Sequence, residues 1–195
     1  MAIATSARTR QVGDAAIAVL AEQGARGLTH RAVDQAAGLP PGTTSNYART
    51  RAALLTLALT RIAELDAADG ASQEPGELAE GLAGALHRWI TDAGARRRVL
   101  ARFELALEAT RRPELRAVYD EMGRGFRAEV VRLLAASGSA QPERDAWTLI
   151  AWLEGTAFYA LAGAGGPAAP SLAALRAQVA GLLATMIGVR HDRRR

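Results

Sequence analysis

Side chains that donate hydrogen bonds to anionic groups are concentrated in residues 41–47, with the sequence PGTTSNY, which we call the polar segment. Hydroxyl and guanidinium groups contact phosphate oxygens, and small side chains let a backbone approach the edges of nucleic-acid bases. We expect Thr43, Tyr47 and Arg51, spaced at one helical turn, to face phosphates. The residues expected to face base edges are Pro41, Gly42, Ser45 and Asn46. The candidate binding residues are Thr29, Arg31, Pro41, Gly42, Thr43, Ser45, Asn46, Tyr47 and Arg51.

Residues suited to catalysis or metal binding are sparse by comparison. The chain has no Cys, which excludes disulfides, thiol nucleophiles and thiolate metal sites. Its three His residues, at positions 30, 87 and 191, lack the spacing of metal ligands. Glu104 and Glu108 lie one helical turn apart without a nearby His, so they form a poor acid–base pair. We therefore expect no enzyme activity, no metal and no cofactor.

The charge of the chain is uneven along its length. All 24 basic residues are Arg, and residues 1–51 hold six of them against three acids, a net charge of +3. Residues 190–195 carry another +3, and the part between has a net charge of −2. A basic head suits nucleic acid or an acidic membrane surface, although solubility alone explains it equally well. The tail at 190–195 is expected to be disordered, and the absence of an apolar leader segment predicts a cytoplasmic protein.

The elements that position the polar segment are predicted to be helices. Apolar residues make up 49% of the chain, are dominated by Ala and Leu, and recur with helical periodicity. Gly24 is expected to end the first helix, Thr29 to cap the second, and Thr50 to cap a fourth that stops at Leu65 before a loop over 66–76. Five further helices are predicted near 77–93, 96–110, 114–136, 142–164 and 171–188. The predicted fold is all-α, with about nine helices.

The second and third predicted helices form a helix-turn-helix. Gly38 ends the second helix, Leu39 fills the corner, and Pro41 suits the first turn of the third helix because it lacks a backbone N–H. Thr44 and Ala48 then face inward, whereas Thr43 and Tyr47 face outward. In this motif the second helix enters the major groove of DNA. The polarity of the third helix is therefore explained by a DNA-binding surface, and a purely structural helical hairpin is the alternative.

Four sequence pieces in this region resemble the N-terminal motif of TetR-family transcriptional regulators. They are GLT at 27–29, AAGL at 36–39, PGT at 41–43 and RAALL at 51–55. The resemblance implies phosphate contacts from Thr43, Tyr47 and Arg51, and base contacts from Pro41, Gly42 and Ser45. The chain departs from the family at Ser45 and Ala48, where aromatic residues are usual, and at Pro40, where Ser is common.

The remainder of the chain is predicted to form a larger helical body. Residues 147–164 are apolar on every side except at Glu154, whose carboxylate disfavours a membrane span. A core helix is one explanation, and a helix that pairs with its copy in a homodimer is another. The second explanation gives the predicted dimer interface as Ala151, Gly155, Ala162, Leu175, Val179, Leu182, Leu183 and Met186. The expected domains are a DNA-binding head at 1–50, a body at 51–189 and the tail at 190–195.

The large apolar side chains of the body are candidates for an apolar ligand cavity with few polar anchors. The predicted pocket comprises Trp89, Phe103, Leu107, Tyr119, Met122, Phe126, Trp147, Glu154 and Phe158. Taken singly, these apolar residues are better explained as ordinary core, and it is as a set that they indicate a cavity. Glu154 would either anchor the ligand or pair internally with an Arg such as Arg102 or Arg127. The sequence thus predicts a homodimeric repressor released from palindromic DNA by a mostly apolar small molecule. The alternatives are a nonspecific DNA-coating protein and a small helical enzyme.

Overall fold

The computed structural model describes residues 6–71, 78–164 and 169–187, and these residues form helices and connecting turns. They contain eight α-helices and one short 3-10 helix, close to the nine helices predicted. The α-helices are α1 (Ala7–Gly27), α2 (His30–Ala36), α3 (Arg51–Ala71), α4 (Leu78–Thr91), α5 (Ala93–Ala109), α6 (Pro113–Ala136), α7 (Pro142–Leu161) and α8 (Leu172–Met186). The all-α fold class is confirmed. The predicted tail at 190–195 lies outside the described residues.

The predicted helix caps at Thr29 and Thr50 are confirmed by their hydrogen bonds, whereas α1 resumes after Gly24 and continues to Gly27. Gly24 interrupts α1 with a φ of 68°. The Thr29 hydroxyl accepts a hydrogen bond from the backbone N–H of Ala32 at 3.1 Å, and the Thr50 hydroxyl accepts one from Ala53 at the same distance. These caps satisfy amides that the first turn of a helix leaves unpaired. The starts of α2 and α3 are therefore set by local sequence.

The predicted loop over 66–76 is wrong in its first half, because α3 continues through Ala71. Ala67 and Ala68 have high helix propensity. Asp66 lies 3.2 Å from a guanidinium nitrogen of Arg102, and the Arg98 guanidinium also pairs with this part of α3. These ion pairs with α5 support two more helical turns than the sequence pattern indicated. Residues 72–77 lie outside the described part of the chain.

The chain divides into two compact units that do not coincide with the predicted boundary after residue 50. The first unit comprises Met1–Ser72 and Arg96–Met122, and the second comprises Gln73–Ala95 and Gly123–Arg195. One apolar core explains why residues beyond 50 belong with the head. Its largest fully buried side chains are Leu20, Leu28, Leu54, Leu55, Leu59, Ile62, Leu105 and Leu115. The segment around the polar residues is thus packed on the same core as α3 and α5.

The second unit is built around α4, which packs against α7 and α8. Leu86 and Ile90 of α4 are buried, as are regularly spaced residues of the other two helices. Those residues are Ala146, Leu149, Leu153 and Ala157 of α7, and Leu175, Val179, Leu183 and Met186 of α8. No helix in the described ranges is long and apolar enough to cross a membrane.

Candidate nucleic-acid interface

The polar segment lies after α2 and contains a single turn of 3-10 helix, Thr44–Asn46. Thr44 and Ala48 are buried, as the helical spacing predicted. Ser45 and Asn46 are exposed, and the Tyr47 side chain is 39% exposed. The segment therefore presents polar groups outward from an apolar support.

The third helix differs from the prediction in type and extent, because only Thr44–Asn46 are helical and they form one 3-10 turn in place of an α-helix that begins at Pro41. Pro41 and Gly42 are exposed but lie before the helical turn, and Gly42 has a φ of 87°. This left-handed conformation is strained for residues with a Cβ, which explains a glycine at this position. Pro41 consequently occupies a turn rather than the first turn of an α-helix.

The buried carboxylate of Asp34 holds the start of this segment. Its side chain is in α2 and is 3% exposed. Oδ2 accepts a hydrogen bond from the backbone N–H of Gly42 at 2.7 Å. Oδ1 accepts two from Thr44, one from the backbone N–H at 2.7 Å and one from the hydroxyl at 2.6 Å. Burial by itself would raise the pKa of Asp34, but these hydrogen bonds and the nearby His30 outweigh burial and lower it.

Two further contacts hold the ends of the polar segment. The Thr43 hydroxyl donates a hydrogen bond to the carbonyl of Pro40 at 2.6 Å. The Nε2 atom of His30 lies 2.5 Å from the carbonyl oxygen of Ala48, so it acts as the donor. Sequence reasoning missed the roles of Asp34 and His30, although an acidic residue within the apolar face of a short helix was a usable signal.

The arginines near the segment fall into two groups. Arg31 and Arg49 are exposed, and Arg49 was not predicted as a binding residue. Arg51, predicted to face phosphate, is half-buried and its guanidinium is turned towards the protein. It donates a hydrogen bond to the carbonyl of Leu28 at 2.6 Å and another to the carbonyl of Ala25. In this structure Arg51 therefore joins the start of α3 to the turn between α1 and α2.

Glu104 of α5 contacts the end of α1. The Oε2 atom of Glu104 accepts a hydrogen bond from the backbone N–H of Ala25 at 2.8 Å. The hydrogen bond from Arg112 lowers the pKa of Glu108, and the positive charge of Arg51 contributes in the same direction. Both glutamates are thus engaged in structural contacts. Among the described residues, no group of three or more His, Cys, Asp or Glu side chains is arranged to hold a metal ion.

The predicted ligand-pocket residues divide by exposure. Trp89, Phe103, Tyr119 and Met122 are half-buried. The others, Leu107, Phe126, Trp147, Glu154 and Phe158, are exposed. Within the single chain these five side chains face solvent, so the predicted ligand pocket remains a prediction. A groove of about 360 Å³ does occur in the first unit, lined by Thr60, Ala63, Ala117, Val118, Glu121 and Met122.

The predicted dimer interface also needs correction. Leu175, Val179, Leu183 and Met186 are buried within the protomer, so they belong to the core of the second unit and are not available to a second chain. Leu182 is half-buried, whereas Ala151 and Gly155 are exposed on α7 and Ala162 is exposed directly after it. Trp147 and Tyr159, which are 66% and 60% exposed, lie on this helix too. The large exposed apolar side chains of the second unit are therefore on α6 and α7 rather than among the predicted residues of α8.

Comparison with known proteins gives the chain a family. A family model described as "Tetracyclin repressor-like, C-terminal domain" matches residues 73–187. A transcriptional regulator from Rhodococcus sp. Rha1 has a similar structure, with a TM-score of 0.78 and 23% identity over 93% of this chain and 98% of that chain. No curated protein sequence matches the chain significantly. The family match and the all-α fold thus place the chain among transcriptional regulators.

Two similar structures have higher sequence identity. A TetR-family member from Streptomyces coelicolor A3 is 31% identical, with a TM-score of 0.73 over 94% of this chain and 100% of that chain. The multidrug binding protein EbrR, in its complex with ethidium, is 32% identical, with a TM-score of 0.68 over 93% of this chain and 99% of that chain. The chain belongs to the TetR family of transcriptional regulators.

Proposed function

We propose that the chain is a homodimeric repressor that binds a near-palindromic DNA operator through its polar segment. The observation that carries the proposal is the segment's arrangement, with Thr44 and Ala48 buried and Ser45, Asn46 and Tyr47 exposed. A folded surface of small polar groups suits close approach to a DNA groove. Two copies related by two-fold symmetry read two half-sites, so the operator is expected to be a near-palindrome.

The contacts are assigned by position and chemistry. Tyr47 faces the phosphates, joined by the exposed guanidiniums of Arg31 and Arg49, and Thr43 joins them when its hydroxyl exchanges the carbonyl of Pro40 for a phosphate oxygen. The base edges are approached by Pro41, Gly42, Ser45 and Asn46. Thr29, which caps the start of α2, lies beside the phosphates. Phosphate contacts contribute affinity for any sequence, whereas base contacts select one.

The test is selection of DNA from a random pool by the purified wild-type chain, followed by binding measurements on the selected site. Tyr47→Phe removes only the hydroxyl and should weaken binding to selected and unrelated DNA alike. Ser45→Ala should instead change the preferred base in each half-site. Recovery of no common sequence from the pool would contradict the operator proposal and favour a nonspecific DNA-coating protein.

The exposed surface of α7 supports homodimerisation. Large exposed aromatic residues on one helix are characteristic of interfaces, and the small residues Ala151 and Gly155 allow close approach of a second helix. A Cβ atom added at Gly155 would meet nothing within 4 Å in the protomer. Gly155→Arg therefore tests the interface without disturbing the fold, and should give monomers in sedimentation. Ala136→Arg, at an exposed position in α6, is the control that should remain dimeric.

A small-molecule ligand is the third part of the proposal. EbrR, a relative at 32% identity, was crystallised with ethidium. The groove beside Val118 and Met122 has a volume of about 360 Å³, within the range of small-molecule sites. A mostly apolar ligand bound there would contact α3, which begins beside the polar segment. A ten- to hundredfold loss of DNA affinity requires roughly 1.4–2.8 kcal/mol of preference for one protein conformation.

Ethidium fluorescence without DNA is the binding assay for this site. Ala117 is exposed and lines the groove, so Ala117→Trp should fill it and weaken ethidium binding. Ala128→Trp, at an exposed position in the same helix, is the matched control. Ethidium also binds DNA directly. The release of the protein from the operator by ethidium is therefore compared between wild type and Ala117→Trp, because direct binding to DNA affects both proteins equally. Equal ethidium affinity in all three proteins would remove the groove from the proposal.

A further inference from the structure

We propose that Asp34 is a positioning residue that sets the DNA sequence selectivity of the polar segment without contacting DNA. The inference rests on the proposed operator-binding function. Asp34 is buried in α2, and its two carboxylate oxygens accept three hydrogen bonds from Gly42 and Thr44. Gly42 and Thr44 flank Thr43, and Thr44 immediately precedes Ser45. The carboxylate thereby fixes the backbone that presents the base-facing side chains.

The chemistry of the site requires a carboxylate rather than any polar side chain. Oδ1 faces the N–H and hydroxyl of Thr44, and Oδ2 faces the N–H of Gly42, so donors approach from both sides. An amide has one acceptor oxygen and one NH₂ donor group. In Asp34→Asn, the NH₂ group must face either Gly42 or Thr44, and two donors then oppose each other in a buried site. The backbone N–H of either Gly42 or Thr44 is then left without its acceptor.

The turn at Gly42 is the part of the segment that the loss of the Asp34 carboxylate should affect most. With a φ of 87°, Gly42 is held in a left-handed conformation, and a Cβ would meet nothing within 4 Å there. Neighbouring side chains therefore do not enclose this turn, and the Asp34 hydrogen bond constrains it from the protein side. Losing that constraint should allow the loop to sample other conformations and to move Ser45 out of register with the bases.

Two roles for Asp34 predict opposite changes. If the carboxylate acted only through its negative charge, Asp34→Asn would remove repulsion of phosphates and strengthen binding to all DNA. If it positions the segment, binding to the selected operator should weaken about tenfold or more, whereas binding to unrelated DNA should change by less than about twofold. The ratio of the two affinities therefore separates selectivity from charge.

The experiment measures both affinities at one salt concentration for the full chain, with folding checked by circular dichroism. Asp69→Asn is the matched control, since it removes the same charge roughly 27 Å along α3 from Arg51. It should leave the ratio unchanged. An Asp34→Asn protein with the wild-type ratio, or with stronger operator binding, would overturn the inference. A wild-type chain that selects no DNA sequence would instead overturn the proposed operator function.

Substitutions at Thr44 keep the inference testable if Asp34→Asn does not fold. Thr44→Val removes the hydroxyl that donates to Oδ1 and leaves a side chain of similar shape, and Thr44→Ser restores a hydroxyl. We expect Thr44→Val to lower the affinity ratio and Thr44→Ser to recover most of it. Equal ratios in Thr44→Val and wild type would show that the carboxylate network does not control selectivity.

Discussion

Replacing Arg51 and Arg49 separately tests whether the guanidinium at the start of α3 serves the protein or the DNA. The sequence predicts that Arg51 contacts phosphate, whereas the structure gives its guanidinium two backbone carbonyl partners, in Ala25 and Leu28. Arg49 is exposed and only two positions earlier. The two substitutions to Ala should therefore have different effects, although both remove the same charge.

The expected magnitudes follow from these partners. A hydrogen bond to a charged group contributes about 1.5–3 kcal/mol, and Arg51 is only half-buried, so we expect Arg51→Ala to lower the free energy of unfolding by about 2 kcal/mol. For a chain of this size that corresponds to a fall in Tm of about 4–8 °C. Arg49→Ala should change the Tm little. It should instead reduce the slope of log binding constant against log salt concentration by about 0.9, the value for one phosphate contact.

The assay combines thermal unfolding with operator binding at several salt concentrations. A lower Tm with an unchanged salt slope in Arg51→Ala would support the structural role of Arg51. Arg49→Ala should show an unchanged Tm with a reduced salt slope. A reduced salt slope in Arg51→Ala with a wild-type Tm would refute the reasoning. That result would mean that Arg51 leaves its carbonyl partners and turns to phosphate when DNA binds.

Three other predictions concern buried groups. Glu104→Ala leaves the N–H of Ala25 without its acceptor and should lower the free energy of unfolding in urea by about 1–3 kcal/mol, whereas Glu104→Gln, which retains an acceptor, should have a smaller effect. Because the pKa of Asp34 is lowered in the folded chain, its contribution to stability is complete above the unfolded pKa of about 4 and is lost as the pH falls through the folded pKa. The difference in unfolding free energy between wild type and Asp34→Asn should therefore shrink in acid. A difference that grows in acid would contradict the assignment. Leu175→Ala should cost about 2–5 kcal/mol of unfolding free energy, and a shift to monomer in sedimentation with unchanged stability would return this residue to the dimer interface.

The local sequence determined the helices and the turns around the polar segment. Thr29 and Thr50 cap helices because their hydroxyls reach amides in the next turn, and Gly24 interrupts α1 because it adopts a positive φ at little cost. The inward positions of Thr44 and Ala48 followed from helical spacing. These features depend on residues a few positions apart, which is why a single sequence predicted the all-α fold and the helix-turn-helix.

Only the tertiary structure decided which face of each longer helix meets solvent and where charged side chains find partners. Leu175 and Trp147 are both large and apolar, yet the first is buried and the second is 66% exposed, because burial depends on which helices pack together. Arg51 donates a hydrogen bond to the carbonyl of Leu28, and Asp34 accepts one from the backbone N–H of Thr44. Both partners are brought close by the folding of the chain. The sequence shows that a charged side chain needs a hydrogen-bonding partner. The packing of the chain decides whether that partner is a backbone group of the protein or a nucleic acid.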